Sequence, residues 1–105
     1  KNPEAAACAA GLLRARHAER ADVLRCSLTS CLRMVGLVDV LVCNPPYVPT
    51  EDPEEMRGSG VSISWAGGER GREVIDRLLP EAAAVMAAGG VFYLVCIAEN
   101  DPEEL

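Results

Sequence analysis

Aromatic residues are scarce in this chain. Of 105 positions only Tyr47, Trp65, Phe92 and Tyr93 carry a phenyl, phenol or indole ring, so a core built from it consists mostly of Ala, Val and Leu. Histidine occurs once, as His17, and none of the five cysteines, Cys8, Cys26, Cys31, Cys43 and Cys96, forms a C-x-x-C pair. That excludes the usual ligand spacing of a structural zinc site. Cys43 and Cys96 sit inside apolar runs and read as reduced thiols, the state expected in a cytosolic or nuclear compartment. Lys and Arg form no cluster, and the formal net charge is −6. Without a basic surface to meet phosphates, a nucleic-acid partner is disfavoured. No apolar run approaches the roughly 18 residues of a membrane-spanning helix, so no membrane partner is expected.

What is there suits one soluble domain over residues 1–105: half of the residues are hydrophobic and a quarter charged. Asn2-Pro3-Glu4 is a helix start, with Asn2 as N-cap, Pro3 at the first helical position and Glu4 in the positive first turn. The helix is expected to run to about residue 16, burying Ala5, Ala6, Leu12 and Leu13. Val23-Leu24-Arg25-Cys26 reads as a short strand and residues 28–35 as a turn of helix. Val38–Cys43 is a nearly continuous apolar run, as expected of a parallel strand. Residues 48–67 lack periodicity and contain the acidic run Glu51-Asp52-Pro53-Glu54-Glu55, a solvated surface. Residues 71–88 pattern as a helix with Val74, Ile75, Leu78, Leu79, Ala82 and Val85 on one side. Pro80 predicts a kink or a break in it. Gly89-Gly90 is expected to end that helix before a second strand, Val91–Ile97, and Pro102 to begin another helix. Helix alternating with apolar strand indicates an α/β layer with a parallel sheet.

The most informative residues are Asn44-Pro45-Pro46-Tyr47, directly after the strand at 38–43. In open α/β sheets, ligands bind outside the carboxyl ends of the strands. The side-chain oxygen of Asn44 can accept one N–H of a substrate amide while its NH2 stays free to donate. The backbone carbonyl of Pro45 can accept the other N–H. Both prolines restrict φ and so preorganise the cup. Tyr47 offers a flat face to a planar amide and an electron-rich ring to a sulfonium. An amide nitrogen is a poor nucleophile, so orientation and charge complementarity are what such a cup can supply.

The motif resembles that of the HemK-type class I methyltransferases. Asn2–Cys8, Trp65-Ala66-Gly67-Gly68 with Gly71-Arg72-Glu73-Val74, Phe92–Val95 and Glu99–Glu104 are similar to the eukaryotic release-factor glutamine methyltransferase branch. The resemblance implies a partial Rossmann-like class I methyltransferase fold, a parallel sheet with flanking helices, in a truncated catalytic domain whose first two strands are missing. It implies methylation, by S-adenosylmethionine, of the glutamine side chain in the Gly-Gly-Gln loop of a translation release factor. Asn44 would accept the substrate amide and close the donor site, and Pro45, Pro46 and Tyr47 would line the glutamine pocket. Ser27 falls where the family carries a carboxylate near the donor's adenine. A small zinc-binding activator subunit is implied as partner, with a cytoplasmic and also nuclear location. The glycine-rich donor loop would lie upstream of Lys1. Gly67, Gly68 and Gly71, with no strand before them, read as a turn.

Two other readings remain open. Asn-Pro-Pro-Tyr alone also admits methylation of a nucleobase, which the acidic charge disfavours, or of a lysine. The chain is otherwise a catalytically dead truncated product or pseudoenzyme. With strand edges and helix faces left unpaired, the isolated polypeptide is expected to be unstable or aggregated.

Overall fold

In the computed structural model the described residues are 2–52 and 62–105. Residues 53–55 of the acidic run lie outside them. The chain divides into two compact units, Lys1–Cys31 and Leu32–Leu105. No helix among the described residues is long and apolar enough to cross a membrane.

The first unit holds helix α1, Pro3–Ala15. Its start follows the expected chemistry: the Asn2 carboxamide oxygen accepts from the backbone N–H groups of Glu4 at 2.9 Å and Ala5 at 3.2 Å, satisfying two donors that no helical carbonyl can reach. The helix ends where His17 turns left-handed, at φ 51°, and Ala18 N donates to Leu13 O at 3.0 Å. The chain then doubles back, and Ala18, Glu19, Ala21, Asp22 and Val23 line an open cleft of about 330 Å³ against Ala10, Leu13, Arg14 and His17. Contrary to expectation, α1 has no fully buried residue, and Leu12 is 60% exposed.

The strand expected at Val23–Cys26 is not formed. A strand exists only through lateral pairing, and among the described residues nothing pairs with this segment. Nor is there helix at 28–35: residues 28–31 form a turn, with Ser30 N donating to Ser27 O at 3.1 Å.

The second unit is α/β. Strand β1, Val38–Cys43, helix α2, Glu73–Val85, and strand β2, Met86–Leu94, form a two-stranded parallel sheet with one flanking helix. Val40 faces Val91, Leu41 faces Phe92, Val42 faces Tyr93 and Cys43 faces Leu94. The period-2 alternation of a strand half-buries Leu41, Cys43, Phe92 and Leu94 and exposes Val40, Val42, Val91 and Tyr93. The predicted apolar stripe of α2 is the buried one, with Ile75, Leu78, Ala82 and Val85 enclosed. Pro80 does not break α2. It lies on the exposed side of a single helix, where loss of one backbone bond is made up by solvent.

Helix α2 stops at Val85, three residues before its expected end, and β2 begins at once with Met86. The cause is tertiary. Gly36 N donates to Ala84 O at 3.1 Å and Leu37 N to Val85 O at 2.9 Å, so the segment entering β1 takes the last helical carbonyls. Gly89-Gly90 consequently ends no helix. It occupies the irregularity where the register jumps from Val38↔Met86 to Val40↔Val91, with Gly89 at φ +81°. The second strand closes at Leu94 rather than Ile97, although Val95 N still donates to Cys43 O at 3.0 Å. The helix expected at Pro102 is absent; a 3-10 turn, Ala98–Asn100, is followed by a turn at 102–104.

Candidate active site at the carboxyl end of strand β1

The ladder between β1 and β2 runs out at Cys43, and the next two residues but one explain why. Pro45 and Pro46 have no N–H to offer a neighbour. The chain leaves the sheet at its carboxyl end and carries Asn44 onto the rim. The Asn44 residue is exposed, Pro45 is buried, and Pro46 and Tyr47 are half-buried. None of the hydrogen bonds among the described residues engages the Asn44 carboxamide. The motif thus carries, on a backbone with Pro45 buried, a carboxamide that no described residue engages.

The anchoring is done by residues that the sequence did not single out for it. Asn100, fully buried at 0% exposure, donates its Nδ2 to Tyr47 O at 2.9 Å and to Arg70 O at 2.8 Å, and its Oδ1 accepts from Ile97 N at 2.9 Å. Gly71 packs against the same carbonyl, and a Cβ there would collide with Tyr47 O and Asn100 Nδ2. Downstream, Val48 pairs with Ala66: Val48 N donates to Trp65 O at 3.0 Å and Gly67 N to Val48 O at 2.8 Å. Buried Thr50 continues the seam, its N–H on Gly68 O at 3.0 Å and its hydroxyl on Val48 O at 2.9 Å. Such spacing leaves no local trace in sequence; the one hint was the run of glycines at 67, 68 and 71.

Those glycines are closed to a ligand. A side chain at Gly67 would meet the backbone of Gly71, and one at Gly68 would meet the side chain of Glu73. They permit close packing behind the motif, in agreement with their reading as a turn, and make no cradle for a methyl donor. Arg72, 14% exposed, fixes the same corner: its Nη2 lies 2.8 Å from Asp76 Oδ1 and its Nη1 2.5 Å from Glu104 Oε2. The Asp76 hydrogen bond is the main influence raising the Arg72 pKa, so the cation is held at every working pH. Burial pushes the Cys43 thiol up, keeping it a neutral member of the sheet beneath the motif. Ser27 belongs to the first unit, where its side chain is exposed and its carbonyl serves the turn to Ser30.

No protein-family model matches the chain. Among curated proteins, it is 46% identical over 105 residues to methyltransferase HEMK2 of Mus musculus, covering 99% of this chain and 49% of that protein. It is 44% identical, with the same coverage, to methyltransferase HEMK2 of Homo sapiens. The eRF1 methyltransferase catalytic subunit mtq2 of Schizosaccharomyces pombe is 40% identical over 70 residues, 66% of this chain and 30% of that protein. The chain therefore spans about half the length of the mouse and human relatives, at 49% of each. With the Asn-Pro-Pro-Tyr rim and an identity of 44% or more along its length, the chain is similar throughout to the HemK-type methyltransferases.

Proposed function

We propose that this chain supplies the amide receptor of an S-adenosylmethionine-dependent methyltransferase that acts on the glutamine side chain of a release-factor Gly-Gly-Gln loop. The observation that carries the reading is the uncommitted Asn44 carboxamide, exposed at the carboxyl end of β1 on a backbone whose next residue is buried. An oxygen and an NH2 on one planar group can match the N–H and the carbonyl of a substrate amide. Held by Asn44 and the carbonyl of Pro45, that amide presents its nitrogen in one direction, and the half-buried Tyr47 supplies an apolar face. The alkylated nitrogen is acidic and releases its proton without a strong base, so the rim needs none.

S-adenosylmethionine, when bound, supplies the electrophilic methyl group. Within the second unit, Asn44 would touch it. Asn44 fits the task because it is open and unpartnered among the described residues, whereas the glycines at 67, 68 and 71 are filled. The mtq2 relative, described as a catalytic subunit acting on eRF1, supports both the release-factor substrate and a second subunit, here a small zinc-binding activator. Five unpaired thiols suit a reducing cytoplasmic or nuclear location.

The test is transfer of labelled methyl to a Gly-Gly-Gln peptide by this chain grafted over the matching segment of the mouse relative, with its activator present. Transfer to the glutamine is expected. Labelling of DNA or of a lysine peptide in its place would overturn the reading.

A second reading concerns the 105 residues by themselves: the glycines at 67, 68 and 71 are filled, and with no open glycine cradle among the described residues the chain is expected to bind no donor and to be catalytically silent. Calorimetric titration of the chain with S-adenosylmethionine is expected to give no heat of binding. A micromolar constant would overturn this second reading.

A further inference from the structure

We propose that Asn100, with Gly71 as its counterpart, is a positioning residue that sets which backbone carbonyls of the motif are left for the substrate amide. The proposal rests on the reading of Asn44–Tyr47 as an amide receptor.

It follows from following each carbonyl of the motif to its partner. A backbone oxygen has two lone pairs, so each donor already seated leaves one place fewer for a substrate N–H. Tyr47 O is held by Asn100 Nδ2 at 2.9 Å. Val48 O is held twice, by Gly67 N at 2.8 Å and Thr50 Oγ1 at 2.9 Å. Among the described residues no hydrogen bond uses the carbonyls of Pro45 or Pro46. Asn100 thereby engages Tyr47 O, the last carbonyl of the motif, and leaves those of Pro45 and Pro46, next to the Asn44 carboxamide.

Asn100 caps its own 3-10 turn through Ile97 N and also reaches two distant carbonyls. Three backbone groups from separate segments, Tyr47, Arg70 and Ile97, converge on a side chain with no solvent exposure. Two non-glycine residues around it, Arg70 and Asp101, are held left-handed at φ 54°. Non-glycine residues stay left-handed where their surroundings over-determine them, and such places cluster at functional sites. Gly71 is the only residue type that leaves room for the Tyr47 carbonyl. Two positions far apart in sequence thus control one atom of the receptor.

Isotope labelling of the grafted enzyme reports the position of that atom through the carbonyl carbon shift of Tyr47. Asn100→Asp, which removes the donor and keeps the shape, and Gly71→Ala, which inserts a methyl, are both expected to move it. Glu104→Gln, which weakens only surface ion pairs to Arg70 and Arg72, is expected not to. In the grafted enzyme, the first two substitutions should raise the KM for the Gly-Gly-Gln peptide about tenfold, the scale of one lost hydrogen bond, and leave the KM for S-adenosylmethionine within twofold. An unmoved Tyr47 signal, or peptide and donor KM rising together, overturns the proposal. If Asn100→Asp fails to fold, Gly71→Ala decides. Should the unsubstituted graft transfer no methyl to glutamine, the functional reading fails, while the Tyr47 signal still judges the positioning.

Discussion

The backbone N–H of Leu37 donates to the carbonyl of Val85 at 2.9 Å, and this bond couples the start of β1 to the end of α2. Leu37→Pro deletes the donor and leaves a carbonyl of a buried residue without its partner. A loss of about 1–3 kcal/mol is expected, read as a lower denaturant midpoint. Gly36 is the milder neighbour: it stands at φ +67° with open space where a Cβ would be. Gly36→Ala should therefore cost only the left-handed strain, about 1 kcal/mol. Equal effects from the two substitutions would show that the bond to Val85 contributes nothing.

The two glycines of β2 separate strain from collision. Gly89 is left-handed but faces open space, whereas a Cβ on Gly90 would approach Val38 O to 2.8 Å and Met86 Cε to 2.6 Å. Gly89→Ala is expected to cost about 1 kcal/mol. Gly90→Ala should cost more, because the Val38 carbonyl must move and the parallel ladder with it. Amide exchange at Val40 and Val91 is the discriminating measurement: it should quicken in the Gly90 variant and hold in the Gly89 variant.

Cys31 is exposed, yet its thiol resists ionisation. The hydrogen bond with Cys26 is the main cause, followed by burial and the Coulombic effect of Cys26. The sign follows directly. A thiol pKa raised in the folded state stabilises at pH below the unfolded value, near 8.5, and that contribution disappears as pH rises through the folded value. Iodoacetamide labelling of Cys31 is accordingly expected to be slow at pH 7 and to rise about tenfold per pH unit beyond pH 8. Cys26→Ala should speed it at pH 7. An unchanged rate in that variant would remove Cys26 as the cause.

The outer face of the sheet is apolar and open, with Val42 69% and its register partner Tyr93 60% exposed beside Val40, Val91 and Val95. Patches of this kind drive association. Replacing the facing pair by Val42→Lys and Tyr93→Glu puts opposite charges across the two strands. The expected outcome is a larger monomer fraction by light scattering with stability within about 0.5 kcal/mol, since both sites are exposed. Continued association of the charged variant would place the sticky surface elsewhere.

Local chemistry made the elements legible and tertiary chemistry decided their ends. Asn2, a short polar cap before Pro3, and the nearly continuous Val38–Cys43 run, broken only by Asp39, each specify their element within a few residues, and the structure places them there. The stripe from Ile75 to Val85 is periodic and is buried. By contrast, the early stop of α2 depends on Gly36 and Leu37, nearly fifty residues upstream of the helix end, which no windowed pattern can weigh. Val23–Cys26 has strand composition but no lateral partner, and composition alone forms no ladder. The site divides in the same way. Asn44 through Tyr47 are contiguous and could be read directly. Asn100 meets Tyr47 across 53 positions, so only the folded chain reveals the pair.

Asn44 offers the sharpest division between stability and function. Its side chain is exposed and unpartnered among the described residues, so Asn44→Ala and Asn44→Asp should each leave the melting transition within about 0.5 kcal/mol of the parent. Their effects on transfer should differ in kind. Alanine removes both halves of the amide match. Aspartate keeps an acceptor for the substrate N–H but loses the donor for its carbonyl and adds a charge facing that oxygen. If orientation is what the rim contributes, methyl transfer to a Gly-Gly-Gln peptide by the grafted enzyme should fall on the order of 10²-fold for alanine. Aspartate should fall at least as far, because a repelled carbonyl is worse placed than an unheld one. Restored transfer in the aspartate variant would mean that Asn44 acts only as an acceptor, and that the donor half of the match has no part in holding the amide.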